Sequence, residues 1–197
     1  ATLPFDRAIS LFKGEQGTIV TLGIQRPGVD ELVVARVARQ LITAPAVRVR
    51  ILNTPEQNLG YIRLLTFPVD AGEQVRDAVT DLFEQGVEGI VLDLRGNPGG
   101  YLLEAVEVAS VFLEVGIVCS TEGLHRDPEI YAASGGALAP DLPLVTLVDG
   151  QSASAAEIVA AAMRENKRGT LVGMPTFGKA SIQSVVPLAN GGGLRLT

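Results

Sequence analysis

Gly89-Ile90-Val91-Leu92-Asp93-Leu94-Arg95-Gly96-Asn97-Pro98-Gly99-Gly100, with Leu102–Leu113 close behind, decides the fold class. Residues 89–95 form a nearly continuous apolar run, the composition of a strand buried on both faces of a sheet. Residues 102–113 carry apolar side chains at 102, 105, 106, 109, 112 and 113, which is helical spacing. A short glycine-rich turn separates them. A buried strand, a turn and a helix in that order read as one βα unit.

The same rhythm extends to both sides. Tyr61–Leu65 reads as a strand, and Ala71–Gln85 as a helix with Val75, Ala78, Val79 and Leu82 on one face. Leu144–Val148 is a second buried strand, and Ala155–Met163 an alanine-rich helix. Shorter strands are expected at Ile117–Ser120, Gly169–Val172 and Ser181–Pro187, with a long irregular segment over 121–142. Upstream, Phe5–Phe12 has helical spacing and stops at Lys13-Gly14. Thr18–Gln25 is extended in character, and Leu32–Val37 and Val47–Leu52 are further apolar stretches. The expectation is an α/β core.

Composition narrows the function classes. The 197 residues are 47% hydrophobic and 19% charged, enough for one sizeable core, or one domain plus a fragment of another. A net charge of −6 without any Lys/Arg run argues against nucleic acid as a partner. Cys119 is the single cysteine and His125 the single histidine, so an internal disulfide is excluded and a Cys/His metal site is not expected. No apolar run approaches the roughly 20 residues that span a bilayer. The opening residues lack a signal-peptide pattern.

Three segments can carry chemistry. Asp93–Gly100 joins a strand to a helix, where free N–H groups bind an anion or a developing oxyanion; it also reads as a plain βα turn. Asp149-Gly150-Gln151-Ser152-Ala153-Ser154-Ala155-Ala156-Glu157 is a second such junction. A serine there is either a nucleophile, with the Ala155 N–H beside it as an oxyanion donor, or a helix N-cap, and both Ser152 and Ser154 qualify. In Gly173–Gln183, Lys179 is flanked by small and apolar residues. Burial lowers a lysine from its reference pKa of about 10.4, and a neutral amine can deprotonate a serine. An extended 179–183 puts Lys179, Ser181 and Gln183 on one face, where Gln183 can orient the amine. The other reading of Lys179 is a solvated loop lysine.

Two other motifs compete. Gly173…Gly178-Lys179-Ala180 nearly fits the phosphate loop G-x-x-x-x-G-K-[ST], which makes a nucleotide-binding protein the first alternative. Ala180 lacks the magnesium-ligating hydroxyl, and Ile182–Pro187 reads as a strand, whereas that loop opens a helix. The G-x-S-x-G elbow fails because Ser154 stands where its last glycine belongs, and no histidine lies downstream of either serine.

Taken together, Gly60–Leu64, Asp93–Gly100, Ser152–Ile158 and Thr176–Gln183 resemble the C-terminal processing (tail-specific) peptidases, serine endopeptidases with a Ser–Lys dyad. The resemblance implies a crotonase-like α/β core. It puts the nucleophile at Ser154, the general base at Lys179 and a lysine-supporting glutamine at Gln183. It puts the oxyanion donors at the amides of Gly100 and Ala155. Ala156 and Ala180 stand where Ser and Gly are common in that family. The implied activity needs no metal and no other cofactor. The implied substrates are proteins or peptides with apolar C-termini, met outside the cytoplasm in periplasm, cell envelope or thylakoid lumen. Residues 3–28 resemble the last helix and strand of a PDZ domain. The implied organisation is a PDZ-like remnant over 1–28 and a peptidase core over 29–197, incomplete at its C-terminus. A non-catalytic PDZ-type peptide-binding module is the second alternative.

Overall fold

A computed structural model describes residues 10–29, 31–40, 45–124, 126–188 and 191–197. The chain divides into two units, Ala1–Ala44 and Pro45–Thr197.

In the first unit, residues 10–12 end a helix, and residues 5–9 of the expected Phe5–Phe12 helix lie outside the described residues. Strand β1 (Ile19–Ile24) then pairs antiparallel with β2 (Val33–Ala38), Ile19 opposite Ala38 and Ile24 opposite Val33. Arg39 fastens helix to hairpin. Its guanidinium donates to the Leu11 and Phe12 carbonyls at 3.0 and 2.9 Å and to the Thr18 hydroxyl at 2.9 Å. Helix-end carbonyls lack partners of their own, and a cation supplies them. The hairpin includes residues 33–38 in this unit, which ends at Ala44.

The second unit holds β3 (Val47–Asn53), β4 (Asn58–Leu64), α1 (Ala71–Glu84), β5 (Gly89–Asp93) and α2 (Leu102–Phe112). The hairpin β6 (Ile117–Gly123) and β7 (Arg126–Ala132) comes next, then β8 (Leu144–Val148), α3 (Ala155–Glu165) and β9 (Thr170–Gly173). A last hairpin joins β10 (Ser184–Pro187) to β11 (Gly193–Leu196). The main sheet has the order β3-β4-β5-β8-β9, with β3 antiparallel to β4 and the remaining pairs parallel. This is the α/β class that the strand–helix rhythm predicts.

The periodic residues do what their spacing requires. Val75, Val79 and Leu82 of α1, Ala105, Ala109 and Phe112 of α2, and Val159 and Met163 of α3 are fully buried. They share one core with Ile62, Leu64 and Leu92 of the sheet. Each aliphatic side chain so buried contributes about 1.5–3 kcal/mol. Two expectations differ from the structure. Residues 126–132 form a strand within the supposed irregular segment, where mostly exposed residues give no apolar run to read. The expected strand 181–187 begins only at Ser184.

Sheet order positions the site. Strands β5 and β8 are parallel neighbours, from Ile90 opposite Leu144 to Asp93 opposite Leu147. The turn leaving β5 toward α2 and the turn leaving β8 toward α3 therefore emerge side by side, at the carboxyl ends of the strands where open α/β sheets form crevices. The β5 turn lies too close to its neighbours for a side chain at two places. A Cβ on Gly100 would sit 2.1 Å from the Phe67 carbonyl oxygen. One on Gly99, at φ +95°, would sit 2.7 Å from the Ala153 carbonyl oxygen and 2.9 Å from the Ala155 nitrogen. Gly99→Ala is expected to lower unfolding stability by about 3 kcal/mol or more, read as a fall in denaturant midpoint at unchanged slope.

Candidate active site

The two turns are sewn together by hydrogen bonds. The Ala153 N–H donates to the Asn97 carbonyl at 2.9 Å, and the Gly96 N–H to Asp149 Oδ1 at 2.9 Å. The Asn97 side chain donates to the Leu64 carbonyl and accepts from the Gly99 N–H, both at 2.8 Å. Asn97 is fully buried, and these bonds offset its desolvation.

The two candidate serines separate here. Ser152 is fully buried; its hydroxyl donates to the Leu94 carbonyl at 2.8 Å and accepts from the Asp149 N–H at 2.9 Å. It is a bracket between the turns. Ser154 is half-buried and caps α3 with φ +55° and ψ −117°, a backbone conformation that non-glycine residues rarely adopt. It lines a cavity of about 500 Å³, and so do Gly100, Ala155, Lys179 and Gln183. All five residues that the resemblance singles out thus meet at one cavity.

The backbone there has donors to spare. Ala155 opens α3, so its N–H has no intrahelical acceptor. Around Phe67 the ladder uses the Gly99 carbonyl and the Tyr101 N–H, leaving the Gly100 N–H outside it. The position a Gly99 side chain would take lies 2.8 Å from Ser154 Cβ, so this turn abuts the serine directly.

Other readings are decided or corrected. Lys179 is exposed, as in the loop-lysine reading, and not enclosed by its small neighbours. No hydrogen bond joins the Ser154 hydroxyl to the Lys179 amine in the described residues. Residues 179–183 are irregular, so a strand does not align Gln183 with Lys179. The Gln183 amide donates instead to the Thr197 hydroxyl at 3.3 Å. No helix opens after Lys179, so the geometry of a phosphate loop is missing.

Glu157 is a residue that the sequence patterns do not single out. Its Oε2 accepts from the Ser154 N–H at 2.8 Å and the Lys179 N–H at 2.9 Å. Its Oε1 accepts from the Thr176 hydroxyl and the Gly178 N–H, both at 2.7 Å. One carboxylate thereby ties the serine turn to the lysine loop. Burial pushes the Glu157 carboxyl up, but the hydrogen bonds outweigh it and hold the group below its ordinary pKa. The available signal was Ser154-x-x-Glu157, the pattern of a capping box.

A second carboxylate, fully buried, anchors the end of β5. Asp93 accepts from the Tyr61 hydroxyl and from the Arg95 guanidinium at 2.7 and 2.9 Å. Burial raises its pKa, and the bonds from Arg95 and Tyr61 more than reverse this, to about 2. In the described residues no three His, Cys, Asp or Glu side chains are placed to hold a metal ion.

Comparison with known proteins gives these features a context. The profile of Peptidase family S41 matches residues 58–197. A carboxy-terminal-processing protease of Bartonella bacilliformis is 37% identical over 197 residues, covering 98% of this chain and 44% of its own length. A carboxyl-terminal-processing protease of Synechocystis sp. is 40% identical over 197 residues, covering 100% of this chain and 46% of its own length. The solved structure of a photosystem II D1 C-terminal processing protease aligns with a TM-score of 0.70 at 34% identity, over 93% of this chain and 50% of its own. The chain spans about half the length of the relatives it matches, or less.

Two outcomes are expected. Glu157→Gln replaces two acceptor oxygens with one, stranding a pair of N–H or O–H donors, and should cost about 2–4 kcal/mol in chemical denaturation. Asp93, depressed from 3.8 to about 2, contributes stability that is full above pH 4 and lost as pH falls toward 2. That contribution is about 2 kcal/mol, and Asp93→Asn should flatten the stability–pH curve across this window.

Proposed function

The chain belongs to peptidase family S41, and on that footing we propose that it is the core of a serine endopeptidase cutting proteins near their C-termini. The supporting observation is the cavity where Gly100, Ser154, Ala155, Lys179 and Gln183 meet, beside a Ser152 whose hydroxyl is already engaged.

In this reading Ser154 Oγ attacks the carbonyl carbon of the scissile bond. The Lys179 amine takes the hydroxyl proton and hands it to the leaving amine. The N–H groups of Gly100 and Ala155 donate to the tetrahedral oxyanion, and water then hydrolyses the acyl-enzyme with the same amine as base. Ser154 holds φ +55° and ψ −117°, a conformation rare for a residue with a side chain, at the start of α3 and at the cavity. Substrate filling the cavity excludes water and brings the serine and lysine side chains together, as is common when a resting site tightens around its ligand. Gln183, at the same cavity, supports the lysine. Tyr101, Leu102, Ile158 and Ile182 supply an apolar part of the wall, in keeping with substrates that end in apolar residues.

We assign the N-terminal residues to the end of a PDZ-like domain on the resemblance of residues 3–28. An extracytoplasmic setting is the one that fits the family.

The test uses the full protein and a peptide with an apolar C-terminus. Ser154→Ala and Lys179→Arg, whose guanidinium keeps its proton, should each lower kcat by about a thousandfold or more. Ser152→Ala should lose about 1–3 kcal/mol of stability and keep its turnover. Full activity in Ser154→Ala, or its loss only in Ser152→Ala, overturns the assignment.

A further inference from the structure

We propose that Arg48, Arg50 and Arg63 build an oxyanion site on strands β3 and β4, on the sheet face opposite the helices, and that it takes one phosphate-class dianion. The site is independent of the peptidase reading. Ile62 and Leu64 of β4 point into the core that the helices share, so the alternate residues Tyr61 and Arg63 point to the other face. In the antiparallel β3–β4 pair, Arg48 stands directly opposite Arg63, and Arg50 directly opposite Tyr61. All four line one cavity of about 180 Å³. Like charges directly opposite one another across a sheet are destabilising. A chain of net charge −6 nevertheless gathers three cations here.

The protein supplies these cations with no counter-charge. Strands β3, β4 and β5 contain a single carboxylate, Asp93, which lies in register with Arg63 on the same face. It is already engaged by the Arg95 guanidinium, the Arg95 N–H and the Tyr61 hydroxyl. Among the described residues no ion pair or hydrogen bond holds Arg48, Arg50 or Arg63. Arg48 and Arg50 are exposed, and water can solvate them. Arg63 differs, because its Nε is shielded from solvent and has no acceptor. A buried charged donor left unpaired is costly, and a bound anion removes that cost.

Geometry and size select the ligand. The Arg50 guanidinium lies 4.3 Å from the centroid of the Tyr61 ring, a stacking that fixes its plane and leaves its edge N–H groups free. Three guanidinium forks from two strands exceed what one planar carboxylate can accept. A tetrahedral dianion offers more oxygens, in more directions, and twice the charge. The cavity is smaller than the about 300–1,000 Å³ of ordinary small-molecule sites, so it suits a phosphate ion or the tip of a phosphomonoester, not a nucleotide. The site also adjoins the β5 turn. Tyr61 donates to Asp93, and a Cβ on Gly96 would lie 4.0 Å from Arg63 Nη2.

Thermal unfolding and isothermal titration of the full protein test this, with inorganic phosphate compared against acetate and chloride at matched ionic strength. Phosphate should bind saturably, and at a concentration of about 20 times Kd it should raise the unfolding midpoint by about 4–7 °C. Arg48→Gln and Arg50→Gln, at exposed positions, should each weaken phosphate by about tenfold or more. Arg48→Gln should also match or exceed the unsubstituted protein in stability when phosphate is absent, because it removes a like-charge pair. Glycerol 3-phosphate run in parallel separates the sources: tighter binding than phosphate assigns a phosphomonoester, and equal or weaker binding assigns the free ion. No saturable phosphate binding, a midpoint shift that acetate reproduces, or an affinity unchanged in both Arg48→Gln and Arg50→Gln overturns the proposal.

Discussion

The Glu157 carboxylate accepts four hydrogen bonds, and the site depends on them. Two come from the backbone amides of Ser154 and Lys179, residues 25 positions apart in the sequence. The stretch from 174 to 183 has neither helix nor strand to hold it. It is held by this carboxylate, by the Met174 N–H on the Val148 carbonyl and by the Phe177 N–H on the Ser152 carbonyl. A carboxylate suits the task because each oxygen accepts two donors, and because charge-assisted bonds offset the burial of the group. The helix that begins at Ala155 carries Glu157 in its first turn, where a negative charge also meets the positive end of the helix dipole.

Around this clamp the fold supplies rigidity and the turns supply chemistry. Parallel neighbours β5 and β8 deliver two turns to one place, and buried Asn97 and Ser152 lock them. Two nearby serines take different duties. Ser152 spends its hydroxyl on the Leu94 carbonyl and the Asp149 amide, which fixes the turn that presents Ser154 in its strained conformation. Asp93, with Tyr61 and Arg95, steadies the end of β5 in the same way. The β10–β11 hairpin lines the cavity on another side through Val185 and Arg195.

What the sequence disclosed tracks the length scale of each feature. Helices α1, α2 and α3 and strands β5 and β8 were legible because burial imposes a period on consecutive residues, as at Val75, Val79 and Leu82. Strand β7 was not, since an exposed hairpin places no such demand on its side chains. The local pattern could not choose between Ser152 and Ser154, because the distinction lies in the Leu94 carbonyl, 58 residues upstream of Ser152. Glu157 showed itself in sequence only as half of a capping box; its hold on Thr176, Gly178 and Lys179 is a tertiary fact. Of the two readings of Lys179, the enclosed one rested on small and apolar sequence neighbours. In the folded chain those neighbours are themselves exposed, so they shield nothing.

The central claim is that this scaffold activates Ser154 and no other serine. Labelling with a fluorophosphonate, which reacts covalently with activated serine hydroxyls, and peptide mapping by mass spectrometry address it directly. The account predicts one adduct, on Ser154, lost in Lys179→Met. An adduct on Ser152, or labelling of Ser154 that persists without Lys179, would contradict it.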